Sequence, residues 1–364
     1  MKRCWIVGMM CGAMAACGGT VERDVEDAPD DQSDPDAGCL PVCSGLTCGP
    51  DGCGGTCGAC TTGQTCTARG QCEPLASRQR SCRDTPDERG CGMVEVPGGT
   101  FTLGDDPLAT AATPAQPAIT VGPFVLDAYE VTVARFRRFW EAGHPAPAGA
   151  IAYPGGASIP WTGEVRDPTL HGEGPWGTRP IDGPSPHPFH AMAAADWWTA
   201  QAFCVWDGGR LPTEAEWEFV AKAMSDGRPV PRVYPWGDEP PQGAVDTPCD
   251  LASWNECHPA MDRFQLGGGP VGTFAPTGGF YDLAGNVEEW VADGWALYTN
   301  ASCWGGVPRA DPLCVSSPDG GDERVTRGGH AISASTAALR AAARGVNVSS
   351  QGLSWTGFRC AATQ

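Results

Sequence analysis

The spacing of its cysteines divides this chain before any other feature does. Eight of the nineteen cysteines fall in Cys39–Cys72, spaced C-x3-C-x4-C-x4-C-x3-C-x2-C-x5-C-x5-C within 34 residues. That stretch has few large apolar side chains, so it cannot bury a core. It must be held by covalent staples, about four disulfides for its thiols. Zinc held by four of the thiolates is the alternative. Cys57 and Cys60 have CxxC spacing, but a redox motif also needs a strand–helix–strand context that is absent here. Cys82, Cys91, Cys204, Cys249, Cys257, Cys303, Cys314 and Cys360 are spread thinly over the rest of the chain. They read as single bridges on a domain with its own core. Cys82 and Cys91 are expected to pair locally, and Cys249–Cys257 and Cys303–Cys314 each to close a short, exposed loop.

The N-terminus explains why disulfides are expected. Lys2-Arg3 and the apolar Trp5–Ala13 form a signal peptide over residues 1–16, too short to span a bilayer. Met14–Gly18 resembles a bacterial lipobox, with cleavage before Cys17 and lipid on its sulfur. An ordinary signal peptide cut nearby is the alternative. With Cys4 and Cys11 removed and Cys17 lipidated, sixteen cysteines remain in an oxidising compartment. Thr20–Gly38 carries eight acidic residues against one arginine and reads as a disordered tether. The expected order is a signal peptide (1–16), a lipidated cysteine and tether (17–38), a cysteine-rich module (39–91) and a main domain (92–364). The location that follows is the bacterial cell envelope, with the membrane reached through Cys17 and the chain monomeric.

Composition narrows the main domain. Fifty glycines and thirty-four prolines approach a quarter of the chain and predict many turns and few long helices. Fourteen tryptophans imply a core or binding face built on large aromatics. The net charge is −19 and only Lys2 and Lys222 are lysines, which argues against nucleic-acid binding.

Phe124–Glu130 alternates apolar residues and predicts a strand. Thr132 caps a helix over Val133–Ala142, closed by Gly143, with Val133, Phe136, Phe139 and Trp140 on one face. A second helix is expected over Asp196–Trp206. A third runs from Thr213 to about Ala223, where Thr213 and Glu216 form a capping box and Pro212 and Trp217 a staple. Arg324–Gly329, Ala338–Arg344 and Trp355–Ala361 are expected as closing strands, with Arg340 and Arg344 paired to buried carboxylates.

Phe280–Trp295, FYDLAGNVEEWVADGW, reads as a tight turn entering a strand. Asp282 and Glu289 bracket Gly285 and Val287, whose carbonyls complete an oxygen set suited to a hard cation such as calcium. A hairpin corner with solvated acids is the plainer reading.

This stretch, together with Gly209–Glu218 (GRLPTEAEWE), Tyr234–Asp238 (YPWGD), Arg327-Gly328-Gly329, Gly357–Cys360 (GFRC) and Val94–Gly104 (VEVPGGTFTLG), resembles the formylglycine-generating enzyme family, also called sulfatase-modifying factors. The resemblance covers residues 93–364. It implies an α+β, C-type-lectin-like fold with little regular secondary structure, here preceded by a small disulfide-rich module. It also implies structural calcium on Asp282, Gly285, Val287 and Glu289, and a disulfide between Cys204 and Cys360. The family's second bridge falls near Ala221 and Ala341 and is expected to be missing.

Catalytic members are expected to carry two copper-binding cysteines shortly after the Arg-Gly-Gly motif and to convert a substrate cysteine to formylglycine. Here Ser333 falls at the first position and Thr336 or Ala338 at the second, and no cysteine occurs between Val315 and Arg359. Hydroxyls and methyls cannot replace two soft thiolates on copper(I), so copper is not expected. His330, Ser333, Arg340, Arg344 and Trp355 are the groove candidates. No catalytic triad, zinc spacing, G-x-S-x-G, Walker loop or Rossmann signature is present. Three readings stay open: a surface protein binding a peptide, glycan or small ligand in the former substrate groove; an oxidase or maturation enzyme using non-cysteine groove residues; and a structural envelope component.

Overall fold

The structure is a computed structural model. It describes residues 43–44, 64–66, 72–74, 78–106, 115–168, 187–223, 232–243, 247–257, 268–305, 309–318 and 320–364. The signal peptide, Cys17, the tether and most of the cysteine-rich module lie outside the described residues. Of residues 39–77 the described parts are 43–44 and a short antiparallel pair, β1 (Gln64–Cys66) with β2 (Cys72–Pro74).

Two described residues tie the entrance to the body. Gln79 Nε2 donates to Asp127 Oδ1 at 2.6 Å, and Ser81 N donates to Asp207 Oδ1 at 2.6 Å. Cys82 is bonded to Cys91. This entrance segment, grouped with the module from sequence, is therefore hydrogen-bonded into the main domain.

In chain order the body then contains β3 (Met93–Val96), β4 (Gly99–Leu103), β5 (Gln116–Val121), β6 (Phe124–Asp127), α1 (Val133–Glu141), β7 (Ile151–Ala152), β8 (Ser158–Ile159), α2 (Trp197–Asp207) and α3 (Glu214–Ala223). After these come β9 (Glu288–Gly294), α4 (Ala301–Trp304), β10 (Arg309–Ala310), β11 (Glu323–Arg327), β12 (Gly345–Val348), β13 (Thr356–Gly357) and β14 (Ala361–Thr363). The largest sheet has the order β12-β11-β9-β13, with β13 parallel to β9. Two three-stranded sheets, β14-β6-β3 and β10-β5-β4, and the hairpin β7-β8 complete the set.

The helices start where the local chemistry dictates. Thr132 accepts from Arg135 N at the head of α1, and Asp196 accepts from Thr199 N at the head of α2. Before α3 the capping box closes in both directions: Glu216 N donates to Thr213 Oγ1 at 3.1 Å, and Thr213 N to Glu216 Oε2 at 2.8 Å. α2 is apolar on nearly every side, so it is buried on nearly every side.

Two aromatic cores flank β9. One packs Phe101, Trp217 and Phe219 with Val291 and Val325, and includes Ala221 and Ala341. The other packs Phe136, Phe139, Trp197, Phe203, Trp290 and Phe358 around the Cys204–Cys360 disulfide. Buried arginines cross-link the elements: Arg135 to Asp127 and Asp207, Arg210 to Glu216, and Arg327 to Glu214 and Glu218.

Three expectations need correction. The strand expected over Ala338–Arg344 is absent. Ser335 Oγ instead caps a short 3-10 turn at Thr336–Leu339, and Arg340 Nε bonds back to Ala337 O. Cys249–Cys257 and Cys303–Cys314 are bonded, but these staples are not exposed: Cys257 and Cys314 sit in the interior. The strands expected over Phe124–Glu130 and Trp355–Ala361 are shorter. The first ends at Asp127, and the second splits into β13 and β14.

Candidate functional site

The turn before β9 is set by backbone demands. Asp282, Gly285 and Asn286 all take positive φ (54°, 78° and 61°). At Gly285 a Cβ would lie 2.2 Å from Ser253 O, so only glycine fits there. Asn286 pins the turn from both ends of its amide. Its Oδ1 accepts from Gly269 N at 2.5 Å, and its Nδ2 donates to Glu130 Oε2 at 2.5 Å.

Three buried carboxylates converge here. Asp282 Oδ2 accepts from Gly272 N, Glu130 Oε1 accepts from Val287 N, and Glu289 is gripped by Arg359. Trp217 Nε1 also donates to Glu289 Oε2, at 2.9 Å. Arg359 acts on all three carboxylates, and Arg89 also acts on Asp282. Burial pushes the Asp282 carboxyl up to about 6. Burial, then the charges of Asp282 and Glu289, push Glu130 well above the usual carboxylate range. Hard oxygens of this kind are what a divalent cation uses, although both oxygens of Glu289 already accept from Arg359. Among the described residues no cluster of three or more His, Cys, Asp or Glu side chains has metal-holding geometry. Such an ion would therefore draw on the carbonyls of Gly285 and Val287 as well as on Asp282 and Glu289.

On the neighbouring side of the turn, Ala331 N donates to Asn286 O at 2.9 Å and brings the segment after Arg-Gly-Gly alongside β9. Ser333 is buried. Its Oγ accepts from His330 N at 3.0 Å, and its own N donates to His330 O at 2.8 Å. Thr336 and Ala338 lie in the 3-10 turn that follows. Cys82, Cys91, Cys204, Cys249, Cys257, Cys303, Cys314 and Cys360 are all disulfide-bonded, so no described residue of the body offers a thiol. A hydroxyl and a methyl are the wrong donors for copper(I), and these residues do not fit it.

The groove candidates separate into two groups. The His330 ring lies 5.6 Å from the Trp355 ring, and both border Ser333's turn and the start of β9. Burial takes the His330 imidazole down to about 4, so it is neutral at neutral pH. Arg340 and Arg344 are committed elsewhere. Arg340 bonds Asp106 at 2.9 Å. Arg344 bonds both oxygens of Glu214 and stacks on Trp295 and Tyr298. They cross-link the framework instead.

Sequence reasoning missed Glu288. Successive side chains on a strand point to opposite faces, so Glu288 and Glu289 part company. Glu289 meets Arg359. Glu288, on the other face, accepts from Asn347 Nδ2 (2.5 Å), Thr356 Oγ1 (2.7 Å) and Thr326 Oγ1 (3.2 Å). The pair of adjacent acids at a strand start was the available signal.

Short sheets, three main helices and a core cross-linked by arginine–carboxylate pairs and disulfides define an α+β domain of the formylglycine-generating-enzyme type. The chain belongs to the family described as the sulfatase-modifying factor enzyme 1-like domain, which matches residues 78–364. It is 34% identical over 307 residues to the formylglycine-generating enzyme of Thermomonospora curvata, covering 77% of this chain and 96% of that one. It is 29% identical over 303 residues to the inactive C-alpha-formylglycine-generating enzyme 2 of Mus musculus, covering 74% of this chain and 85% of that one. Among solved structures, PvdO from Pseudomonas aeruginosa shares the fold with a TM-score of 0.50 and 24% identity, covering 76% of this chain and 97% of that one.

Proposed function

We propose that this chain is an exported lipoprotein, anchored through Cys17, whose sulfatase-modifying-factor domain binds a peptide, glycan or small ligand in the groove beside His330, Ser333 and Trp355 without copper chemistry. One observation carries this reading: the segment that should hold the thiol pair has Ser333 in a buried turn and no cysteine up to Arg359. The ion pairs of Arg327, Arg340 and Arg344 with carboxylates support a rigid frame for such a site. A relative described as inactive supports a domain kept for something other than formylglycine formation. Calcium at the 282–289 turn has a structural role, stiffening the loop that carries β9 into the groove.

The test is to screen the purified chain against peptide and glycan arrays and repeat each hit with Trp355→Ala. Hits lost in that variant support the reading. Arrays without hits, or hits indifferent to position 355, refute it. For the anchor, labelling of expressing cells with a palmitate analogue should tag the wild type and spare Cys17→Ser.

A further inference from the structure

A cavity of about 380 Å³ opens at the C-terminal end of α2, between the β7 segment and the edge of β14. That volume is in the range of small-ligand sites, and the cavity shares no residue with the groove beside His330, Ser333 and Trp355. Both strand walls present backbone. β14 pairs with β6 along one edge; along the other, Ala361 exchanges two 2.8 Å bonds with Arg210. Bonding direction alternates along an antiparallel strand, so Thr363 points its N–H and C=O to the same side as Ala361. No strand continues there: Gly208, two residues before Arg210, is bent into the end of α2 with its N–H on Val205 O. On β7, Tyr153 N donates to Ala157 O within the hairpin. Ile151 therefore faces β8, and Ala150 and Ala152 turn their peptide groups away from it. Thr363, Ala150 and Ala152 all line the cavity and are exposed, and their outward peptide groups have no backbone partner among the described residues.

The charge of the cavity is positive. Among the described residues no acidic side chain lines it, and its two arginines differ. Arg210 is buried and neutralised by Glu216, which accepts from both terminal nitrogens at 2.7 and 2.6 Å. Arg78 is half-buried and has no ion pair among the described residues. In a chain of net charge −19, a cavity with an unpaired cation and no acid is where an anion is best placed. The end of α2 does little to offset this. Gly208 N and Gly209 N cap the carbonyls of Val205 and Cys204, and Trp206 and Asp207 do not line the cavity. Pro147, Val205 and Ala362 supply the apolar part of the wall.

We propose that this cavity binds the C-terminal end of a peptide. The terminal carboxylate sits on Arg78, the peptide groups bond to the open edges at Thr363 and at Ala150 or Ala152, and a small apolar last side chain packs on Pro147, Val205 and Ala362. The unpaired guanidinium favours a carboxylate, which it can grip through two parallel bonds. The bare edges favour a peptide over a simple carboxylic acid, because a peptide brings both donors and acceptors to a strand edge. The site is independent of the groove reading and stands or falls without it.

The experiment titrates the purified chain by calorimetry with four probes: acetyl-Ala-Ala-Val with a free carboxylate, the same peptide as its C-terminal amide, the free acid N-methylated at its last peptide bond, and hexanoate. The free acid should bind about tenfold or more tightly than the amide, and this advantage should shrink as salt is raised. N-methylation, which removes one donor, should weaken binding about fivefold or more. Hexanoate, a carboxylate without peptide groups, should bind more weakly than the free acid. Arg78→Gln should bring the free acid down to the level of the amide and leave the amide unchanged. Ala150→Trp, which puts a large side chain on the exposed rim, should abolish binding of both. Melting curves establish that each variant is folded, and Ala150→Trp carries the test if Arg78→Gln is not. No binding by any probe, equal binding of acid and amide, or hexanoate as tight as the free acid overturns the proposal. So does unchanged free-acid affinity in either folded variant. None of these outcomes bears on the groove, whose array ligands are read through Trp355.

Discussion

Arg359 holds Glu289 by two parallel bonds, Nη2 to Oε1 at 2.7 Å and Nε to Oε2 at 2.8 Å, with both side chains out of solvent. The same guanidinium donates to the carbonyls of Asp127, Ala128 and Tyr281. One residue of GFRC thus fastens β9, the end of β6 and the turn at 282. Arg359→Ala removes the counter-charge of a buried carboxylate, leaving it only the Trp217 N–H, and takes a donor from three carbonyls. The expected loss is about 3–5 kcal/mol, read as a shifted denaturation midpoint. A variant within 1 kcal/mol of wild type, roughly the value of a surface pair, would contradict the arrangement.

Calcium at the same turn should be tested through Asp282 rather than Glu289. Removing Glu289 also strands Arg359 and Trp217, so the two effects would mix. A chelator should lower the melting temperature of the wild type and leave Asp282→Ala nearly unmoved, since bound ligand stabilises only a protein that retains the site. Wild-type melting that ignores both added calcium and chelator would remove the site from consideration.

Cys204 and Cys360 join the middle of α2 to the last strands, a sequence separation of 156. A loop of that length gives roughly 5 kcal/mol in the chain-entropy account. Cys204→Ala with Cys360→Ala should lower stability by a few kcal/mol, to be measured by denaturant unfolding. Cys249→Ala with Cys257→Ala, which opens a loop of separation 8, should lower it less. Equal losses would show that strain and packing outweigh loop entropy here.

Much of this fold was legible in the sequence because it is written in short-range chemistry. Thr132, Asp196 and the Thr213–Glu216 box act within four residues, and the helices begin where they stand. The turn at 282–289 was legible for the same reason. What could not be read depends on partners far along the chain. Arg344 meets Glu214 and Arg340 meets Asp106 across long separations, and nothing local distinguishes such arginines from groove residues. Ala338–Arg344 is rich in alanine and short in turn residues, yet Ser335 and the pull of Asp106 on Arg340 make it a turn. Glu288 escaped notice because its partners come from β11, β12 and β13 at once.

Asp293 gives a pH prediction. Burial, reinforced by the nearby charge of Glu214, raises its carboxyl to about 7, although Cys314 N and Glu214 N both donate to it. Its folded value lies above the unfolded one, so the folded state binds the extra proton between about pH 4 and 7. The stability this gives is complete below pH 4 and is lost as pH rises through 7, with a slope of at most about 1.4 kcal/mol per pH unit. Denaturant unfolding from pH 4 to 8 should show a shallower fall for Asp293→Asn than for wild type. Parallel curves would mean that Asp293 is ionised throughout.

Formylglycine formation is expected to be absent. The reaction of the catalytic relatives is taken to need a thiol pair at the positions where Ser333 and Thr336 or Ala338 now stand. No other thiol in the described body can substitute. Cys204 and Cys360 are bonded to each other within the aromatic core. Cys249, Cys257, Cys303 and Cys314 are bonded in local pairs, and Cys82 is bonded to Cys91 at the entrance. A rescue would need one of these disulfides to open and its loop to fold over His330, at the cost of the stability the disulfide gives. The purified chain should be incubated with copper(I), oxygen and a sulfatase-motif peptide and the peptide weighed by mass spectrometry. An unchanged cysteine is the expected result. Conversion to the aldehyde would return this chain to the enzymes of its family and displace the ligand-binding reading. Restoring cysteines with Ser333→Cys and Ala338→Cys then asks whether the rest of the groove is still competent. Because Ser333 is buried and bonded to His330 N, that double variant is expected to bind copper(I) yet to turn over slowly or not at all.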